Sequence, residues 1–135
     1  MNKIKEYQEI INYKIKKVRI QGKPDELYNP INYILSLKSK RVRPTLSILS
    51  YSLFKEDLNK ITEPCIALEF FHNFTLIHDD IMDNADIRRG KDTIHKKWNK
   101  NIGILSGDLL MIFAYKMLEN IDNKSFKKTF KRFNN

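Results

Sequence analysis

The residues best suited to chemistry are three aspartates and two arginines that lie close together in the second half of the chain. Asp79, Asp80 and Asp83 stand at positions i, i+1 and i+4, and Arg88 and Arg89 follow them. If a helix continues through Asp83, Asp79 and Asp83 lie one turn apart on one face, and Asp80 lies about 100° away around the axis. Carboxylates at this spacing repel one another, so the pattern favours a bound hard cation such as Mg²⁺.

The two arginines could bind the phosphates of a diphosphate whose metal ion is held by the aspartates. A guanidinium binds a phosphate through two parallel hydrogen bonds, and Mg²⁺ often joins protein carboxylates to substrate phosphates. The alternative is that the acids cap or solvate a helix end and that the arginines pair with them. The apolar, aromatic run that precedes the acids, from Cys65 to Ile77, favours a binding site.

A second basic segment lies earlier in the chain. Lys40, Arg41 and Arg43 occupy three of four positions just before Pro44. Because helix N-termini carry unpaired N–H groups and a partial positive charge, the segment suits an anion; the alternative is a solvated basic turn. His72 lies two turns before Asp79 and projects to the same helix face.

Helices must position these groups. Apolar residues recur at three- and four-residue steps, which predicts amphipathic or buried helices, and four Gly and four Pro are too few for a loop-rich β protein. The expected helices cover roughly residues 4–18, 25–37, 45–54, 62–83 and 104–121, with a polar loop at 91–100.

These motifs resemble those of the trans-isoprenyl diphosphate (polyprenyl) synthases. Asp79 to Gly90 is similar to the family pattern D-D-x-x-D-x-x-x-x-R-R-G, and Glu69 to Asp80 is similar to E-x-x-H-x-x-x-L-I-H-D-D. Lys40 to Pro44 resembles the end of G-G-K-R-x-R-P, but Lys38 and Ser39 stand where the family usually has Gly-Gly. The resemblance extends over roughly residues 20 to 120.

The resemblance implies an all-α chain that forms the N-terminal part of the isoprenoid synthase helical bundle. It implies a Mg²⁺-dependent prenyltransferase that condenses isopentenyl diphosphate with an allylic diphosphate, with a bulky Phe74 favouring a short C15–C20 product. The implied metal ligands are Asp79, Asp80 and Asp83. The implied substrate-binding residues are Arg88 for the allylic diphosphate and Lys40, Arg43, His72 and Arg89 for isopentenyl diphosphate.

One part of the family pattern is missing, which leaves an alternative. The family has a second aspartate-rich motif on a later helix, and no such cluster follows Asp108. The chain is then either part of a working synthase or a catalytically inactive truncated synthase that acts at most as a binding partner. Because full synthases are usually dimers, a homodimer or a partner synthase subunit is expected. Residues 1–121 are expected to form a partial synthase domain and residues 122–135 a basic, weakly structured tail.

Charge and composition bear on nucleic-acid binding, membrane insertion and cellular compartment. A net charge of +9 permits nucleic-acid binding, but the lysines are widely spread and no nucleic-acid motif is recognisable, so no nucleic-acid partner is expected. The sequence has no apparent signal peptide and no apolar stretch long enough to span a membrane. The single cysteine, Cys65, lies in an apolar helical run and is expected to be buried and inert, which favours a cytoplasmic protein.

Overall fold

The architecture is a layered set of helices with one short hairpin. The structure, a computed structural model, describes residues 2–119 and 121–134, so residues 1, 120 and 135 of the expected domain and tail lie outside it. The helices are α1 (Lys3–Lys17), α2 (Asp25–Ser36), α3 (Val42–Ser52), α4 (Asn59–Met82), α5 (Ile94–Lys97), α6 (Lys100–Lys116) and α7 (Asn123–Phe133). Two strands, β1 (Ile87–Arg88) and β2 (Lys91–Asp92), pair antiparallel between α4 and α5. The predicted all-α class is confirmed, and the hairpin lies within the segment after α4, part of which was expected as a loop.

The central helix is α4, which packs most extensively against α6 and also contacts α3 and α1. Its side chains Ile66, Phe70 and Ile77 are buried, and they share one core with Ile11 of α1 and Ile34 of α2. Full burial of such a side chain contributes about 1.5–3 kcal/mol. The core therefore fixes α4 in place, and with it the acidic residues at its C-terminal end.

Two glycines of α6 allow it to lie close to the last turns of α4. A Cβ atom at Gly107 would stand 2.5 Å from Cε1 of His78, and one at Gly103 would stand 2.9 Å from Cδ1 of Ile81. Larger residues at these positions would push the two helices apart. Gly107 therefore permits close packing against His78, and α6 supports the acidic end of α4.

Several helix boundaries differ from those expected, including the starts of α4 at Asn59 and of α6 at Lys100. Helix α3 begins at Val42, before the expected start near residue 45, so that Pro44 lies in its first turn, where the missing N–H costs nothing. Helix α6 ends at Lys116 and does not continue to about residue 121. The described residues of the expected weakly structured tail form α7, whose N-cap Asp122 accepts a hydrogen bond from the N–H of Ser125 at 3.0 Å. The division into domain and tail at residue 121 stays a prediction.

Two expectations drawn from composition can be compared with the structure. Cys65 is buried, and burial raises the pKa of its thiol to about 12, so the thiol stays protonated and unreactive. None of the helices in the described ranges combines the length and apolar character needed to cross a bilayer. The cellular compartment stays a prediction.

Candidate functional site

The C-terminal end of α4 presents its aspartates in two different environments. Asp83 is the C-cap residue, and its N–H donates to the carbonyl of Asp79 at 2.9 Å. The helical spacing predicted for Asp79 and Asp83 is therefore present, and both residues are exposed. Asp80 is buried beside them. Two carboxylates at the end of α4 are thus open to solvent, and the third is directed into the protein.

Asp80 is held by Arg88 in a bidentate pair. Arg88 donates from Nε to Oδ2 and from Nη2 to Oδ1, each at 2.7 Å. The hydrogen bonds to Asp80 raise the pKa of Arg88, and the negative charges of Asp79 and Asp83 act in the same direction. The guanidinium therefore lies within the field of all three aspartates, with both oxygens of Asp80 already accepting.

The hairpin explains how two adjacent arginines come to face different surroundings. Arg89 and Gly90 form its two-residue turn, with φ values of +54° and +75°. Positive φ at both central residues is the mark of a type I′ turn, which matches the twist of the flanking strands. The base of the hairpin is fixed by buried Thr93, whose hydroxyl donates to the carbonyl of Ala85 at 2.7 Å. Arg88 reaches Asp80 of α4 from the strand, while Arg89 lies in the turn itself.

Arg89 occupies an electrostatically unfavourable position. Its Nη1 is buried and has no hydrogen-bond acceptor among the described residues. Burial, followed by the positive charge of Arg41, lowers the pKa of Arg89, and Glu69 opposes this shift. An unsatisfied buried donor on a cation destabilises the protein. A bound anion would relieve that cost, which fits the expectation that Arg89 binds a phosphate.

Sequence reasoning missed the role of Arg41 in the basic segment. Arg41 is buried, with its Nη1 donating to Oε1 of Glu69 at 2.6 Å and its Nη2 donating to the carbonyl of Leu35 at 2.7 Å. Its Nε donates to Oδ1 of Asn12 at 3.2 Å. Asn73 also donates to Oε1 of Glu69, at 3.0 Å. A charged residue inside the apolar run of α4, Glu69, was the available signal for such a partner.

The Arg41 network fixes the turn that carries the other basic residues. Arg41 has a φ of +47°, a left-handed conformation that is unfavourable for a non-glycine residue and that its buried contacts hold in place. Lys40 precedes it with an exposed side chain. The carbonyl of Lys40 accepts a hydrogen bond from Gln8 at 2.7 Å.

Arg43 and His72, predicted to share one substrate, are in contact. The distance from Nη1 of Arg43 to Nε2 of His72 is 3.0 Å, so the ring nitrogen accepts from the guanidinium. Partial burial and the positive charge of Arg43 lower the pKa of His72 below its ordinary value; Glu69 opposes this, and Arg89 and Arg88 reinforce it. His72 is therefore neutral at pH 7 and lies in the field of three arginines.

An aromatic wall lines the approach to the acids. The rings of Phe71 and Phe74 pack edge to face with centroids 5.3 Å apart, and Phe74 packs against His78 at 4.8 Å. The Nε2 of His78 lies 3.4 Å from Oδ1 of Asp108 on α6. These contacts join α4 to α6 and give His78 and Asp108 a structural role.

The donor chemistry of the acidic end suits Mg²⁺ in part. Within residues 2–119 and 121–134 no three side chains of His, Cys, Asp or Glu converge on a common metal position. Mg²⁺ does not require such a cage, because it binds through one or two carboxylates and keeps its remaining positions for water and phosphates. Asp79 and Asp83 satisfy that requirement. The ligand role expected for Asp80 requires its pair with Arg88 to open.

Comparison with known proteins places these features in a family. Residues 24–135 match the family described as polyprenyl synthetase. The match reaches residue 135, so the predicted end of the family resemblance near residue 120 was wrong. The tail matches the family although it carries none of the short motifs on which that prediction was based. The chain is 44% identical over 110 residues to a short chain isoprenyl diphosphate synthase of Methanocaldococcus jannaschii, covering 81% of this chain and 34% of that protein.

Two further similarities agree with this match. A geranylgeranyl diphosphate synthase of Methanosarcina mazei is 41% identical over 102 residues, which cover 76% of this chain and 32% of that protein. A crystal structure of a geranylgeranyl pyrophosphate synthase superposes with a TM-score of 0.94 at 43% identity, covering 99% of this chain and 41% of that one. The chain thus spans about a third of the length of the curated relatives it matches.

Proposed function

Because the chain belongs to the polyprenyl synthetase family, we propose that it is the substrate-binding part of a Mg²⁺-dependent trans-prenyltransferase. The reaction joins isopentenyl diphosphate to an allylic diphosphate, lengthens the prenyl chain by one isoprene unit and releases pyrophosphate. The observation that carries the proposal is the meeting of exposed Asp79 and Asp83 with Arg88 at one end of α4. Carboxylates and a guanidinium arranged in this way can bind a metal–diphosphate complex.

The allylic diphosphate is assigned to the acidic end of α4. Asp79 and Asp83 would hold Mg²⁺, which when bound stabilises the charge that grows on the departing diphosphate. Asp80 orients the guanidinium of Arg88 through two hydrogen bonds. Arg88 is partly exposed and keeps N–H groups that can reach a phosphate oxygen. The wall formed by Phe71 and Phe74 keeps water away from the reacting carbon.

Isopentenyl diphosphate is assigned to the basic side of the site. Neutral His72 accepts a hydrogen bond from Arg43 and thereby orients a guanidinium that still has free donors. Arg89 adds a cation whose buried Nη1 has no acceptor in the described part of the chain. Lys40 is exposed on the turn that Arg41 fixes. Three cations and one neutral ring suit a diphosphate that binds without its own metal.

The chain is proposed to work together with further helices. Several large apolar side chains of α3 and α6 are exposed, among them Leu46, Leu105 and Ile112. Contiguous exposed apolar surface marks sites of association. A second copy of the chain or another synthase subunit would cover these residues, and only another subunit that carries the second aspartate-rich motif would supply the second set of acids, because no such cluster follows Asp108 here. The alternative is an inactive chain that only binds a synthase. The turnover experiment described next distinguishes the two.

Turnover tests the proposal directly. The purified chain receives isopentenyl diphosphate, an allylic diphosphate and Mg²⁺, with Asp79→Asn and the surface variant Glu9→Gln as a matched pair. The proposal predicts product from the wild type and Glu9→Gln and none from Asp79→Asn. Product that is equal in all three samples contradicts the assigned site. No product from the wild type, with retained Mg²⁺-dependent binding of pyrophosphate, favours the inactive alternative.

We propose a short product of the C15–C20 class, as the names of the relatives suggest. Phe74 lies five residues before Asp79 and packs on Phe71 and His78, where it narrows the space behind the acids. In an active assembly, Phe74→Ala is predicted to lengthen the main product, as measured by chromatography of the dephosphorylated prenols. An unchanged product distribution would contradict this role of Phe74.

A further inference from the structure

Helix α7 carries a dense group of positive charges with no acid among them. Its 11 residues, Asn123–Phe133, contain no aspartate and no glutamate. The cations of α7 are Lys124, Lys127, Lys128, Lys131 and Arg132. Five cations and no acid give α7 a charge of +5, which is more than half of the chain's net charge of +9. Lysines that look widely spread along the sequence are thus concentrated on one helix.

These five cations form one continuous surface, which we call the basic face. At 100° per residue they cover an arc of about 140° around the helix axis. All five side chains are exposed, and none of them pairs with a carboxylate within residues 2–119 and 121–134. Acids do lie at the N-terminal end of α7, where Glu56, Asp57 and Asp122 line a pocket shared with Ser125. The described carboxylates therefore leave the basic face unpaired.

The spacing within the basic face places like charges one helical turn apart. The pairs separated by four residues are Lys124 with Lys128, Lys127 with Lys131, and Lys128 with Arg132. Like charges at this spacing destabilise a helix, and burying them beneath another protein segment would cost more. The basic face is therefore suited to an external surface of negative charge, which removes the repulsion without burying the cations.

Two phenylalanines lie beside the basic face. The rings of Phe126 and Phe130 stack with centroids 5.3 Å apart, and Phe130 contacts the ring of Tyr115 at 5.9 Å, which holds α7 against α6. Phe130 is nevertheless 40% exposed, and it lies about 60° from Lys127 around the axis, at the margin of the basic face. Cations with an apolar margin fit the interface of an anionic bilayer. The phosphate backbone of a nucleic acid would match the charge alone.

We propose that the basic face of α7 binds the surface of a bilayer that contains anionic lipids. Helix α7 has 11 residues, about half of the roughly 20 that a helix needs to cross a bilayer, so the contact is peripheral. The proposal goes beyond the proposed function and does not depend on it, because no residue of α7 belongs to the acidic end of α4 or to the basic turn before α3.

Flotation of the full chain with lipid vesicles tests the proposal, and aggregated protein does not float. Vesicles of phosphatidylcholine alone are compared with vesicles that contain about 30% phosphatidylglycerol, at about 0.15 M salt, which screens distant charges. The α7 variant combines Lys127→Gln, Lys128→Gln and Lys131→Gln. The matched control on α1 changes the net charge equally at three other exposed lysines, through Lys3→Gln, Lys5→Gln and Lys14→Gln.

The wild type is expected to float with the anionic vesicles and not with phosphatidylcholine alone. Each basic residue near an anionic surface is worth about fivefold in partitioning, so the α7 variant should bind about a hundredfold more weakly and the control within about threefold of wild type. Glutamine is a good helix former, so the α7 variant keeps its helix, which circular dichroism verifies.

Two results would contradict the proposal. One is equal flotation with both kinds of vesicle, and the other is equal weakening in the α7 variant and the α1 control. Duplex DNA at an equal concentration of phosphate provides the competing polyanion. Flotation that persists in its presence supports the lipid surface, whereas displacement of the protein from the vesicles by DNA overturns the proposal in favour of a nucleic-acid partner.

Discussion

Two arginine–carboxylate pairs border the candidate site, and they differ in how far each is withdrawn from solvent. In the pair of Arg41 and Glu69, the side chains are 3% and 2% exposed and the contact is 2.6 Å. In the pair of Arg88 and Asp80, they are 27% and 4% exposed and the contact is 2.7 Å. Every hydrogen-bonding nitrogen of Arg41 has a protein acceptor. The partly exposed Arg88 keeps donors for a ligand.

The buried pair of Arg41 and Glu69 supports the structure, whereas the partly exposed Arg88 of the second pair can also bind a ligand. The Arg41 pair joins the basic turn before α3 to α4 and so fixes Lys40 and Arg43 relative to His72. The Arg88 pair joins the hairpin to the end of α4 and leaves one face of the guanidinium open. A buried charge is stable only while its partner remains, and a partly exposed one can be rehydrated. The two pairs should therefore respond differently to the loss of their carboxylates.

The largest effect is predicted for Glu69→Ala. It leaves Arg41 as an uncompensated buried charge, and breaking a buried pair from one side costs about 3–5 kcal/mol. Urea denaturation monitored by circular dichroism should show this loss in the free energy of unfolding, and Glu9→Gln should change it by less than about 0.5 kcal/mol. A loss below about 1 kcal/mol in Glu69→Ala would show that water or another group can satisfy Arg41.

A smaller effect is predicted for Asp80→Asn. The amide keeps one acceptor for Arg88 and removes the charge, and because Arg88 is partly exposed the expected loss is only about 1–2 kcal/mol. A double-mutant cycle with Arg88→Gln isolates the pair from other effects of each substitution. A coupling energy near zero would mean that the bidentate contact contributes nothing to stability and would remove the contrast with Glu69.

The smallest effect is predicted for the pH dependence that His72 confers. Its pKa in the folded protein lies below the ordinary value of about 6.5. The unfolded chain therefore binds the proton more readily, so the contribution of His72 to stability is present above about pH 6.5 and is lost as the pH falls through the folded-state pKa. A proton NMR titration of the ring should give a pKa below 6.5, and Arg43→Gln should raise it. A value unchanged by Arg43→Gln would mean that Arg43 does not contribute to lowering the pKa of His72.

The part of the site that the sequence predicted is the part governed by helix periodicity. Asp79 and Asp83 are one turn apart because α4 continues to Met82, and the same period places His72 on that face. Arg43 meets His72, as expected of two groups that share a substrate. Helical spacing is enough to predict the relations along α4, whereas the relation between Arg43 and His72 was implied by the family resemblance.

The arginine positions and ion pairs of the site depend on contacts between distant segments, which sequence spacing does not predict. Arg88 and Arg89 are adjacent in sequence, but Arg88 lies in β1 and pairs with Asp80 whereas Arg89 lies in the turn, and two-residue strands leave no periodic signal. Arg41 lies in a charged run that was expected to form an anion site or, as the alternative, a solvated turn, although Arg41 is buried against Glu69. The pair of Asp80 and Arg88 agrees with the alternative in which the arginines pair with the acids, and the family expectation of a metal ligand did not include it. Long-range ion pairs of this kind require the fold to be known.

The most direct test of the central claim is Mg²⁺-dependent binding of pyrophosphate at the end of α4. Titrations of wild type, Asp79→Asn, Asp83→Asn and Glu9→Gln are compared with and without Mg²⁺. Mg²⁺ is expected to strengthen pyrophosphate binding in wild type and Glu9→Gln and to have no effect in either aspartate variant. All four proteins are expected to have free energies of unfolding within about 0.5 kcal/mol of one another. Equal strengthening by Mg²⁺ in all four would contradict the assignment of Asp79 and Asp83 as the metal-binding residues.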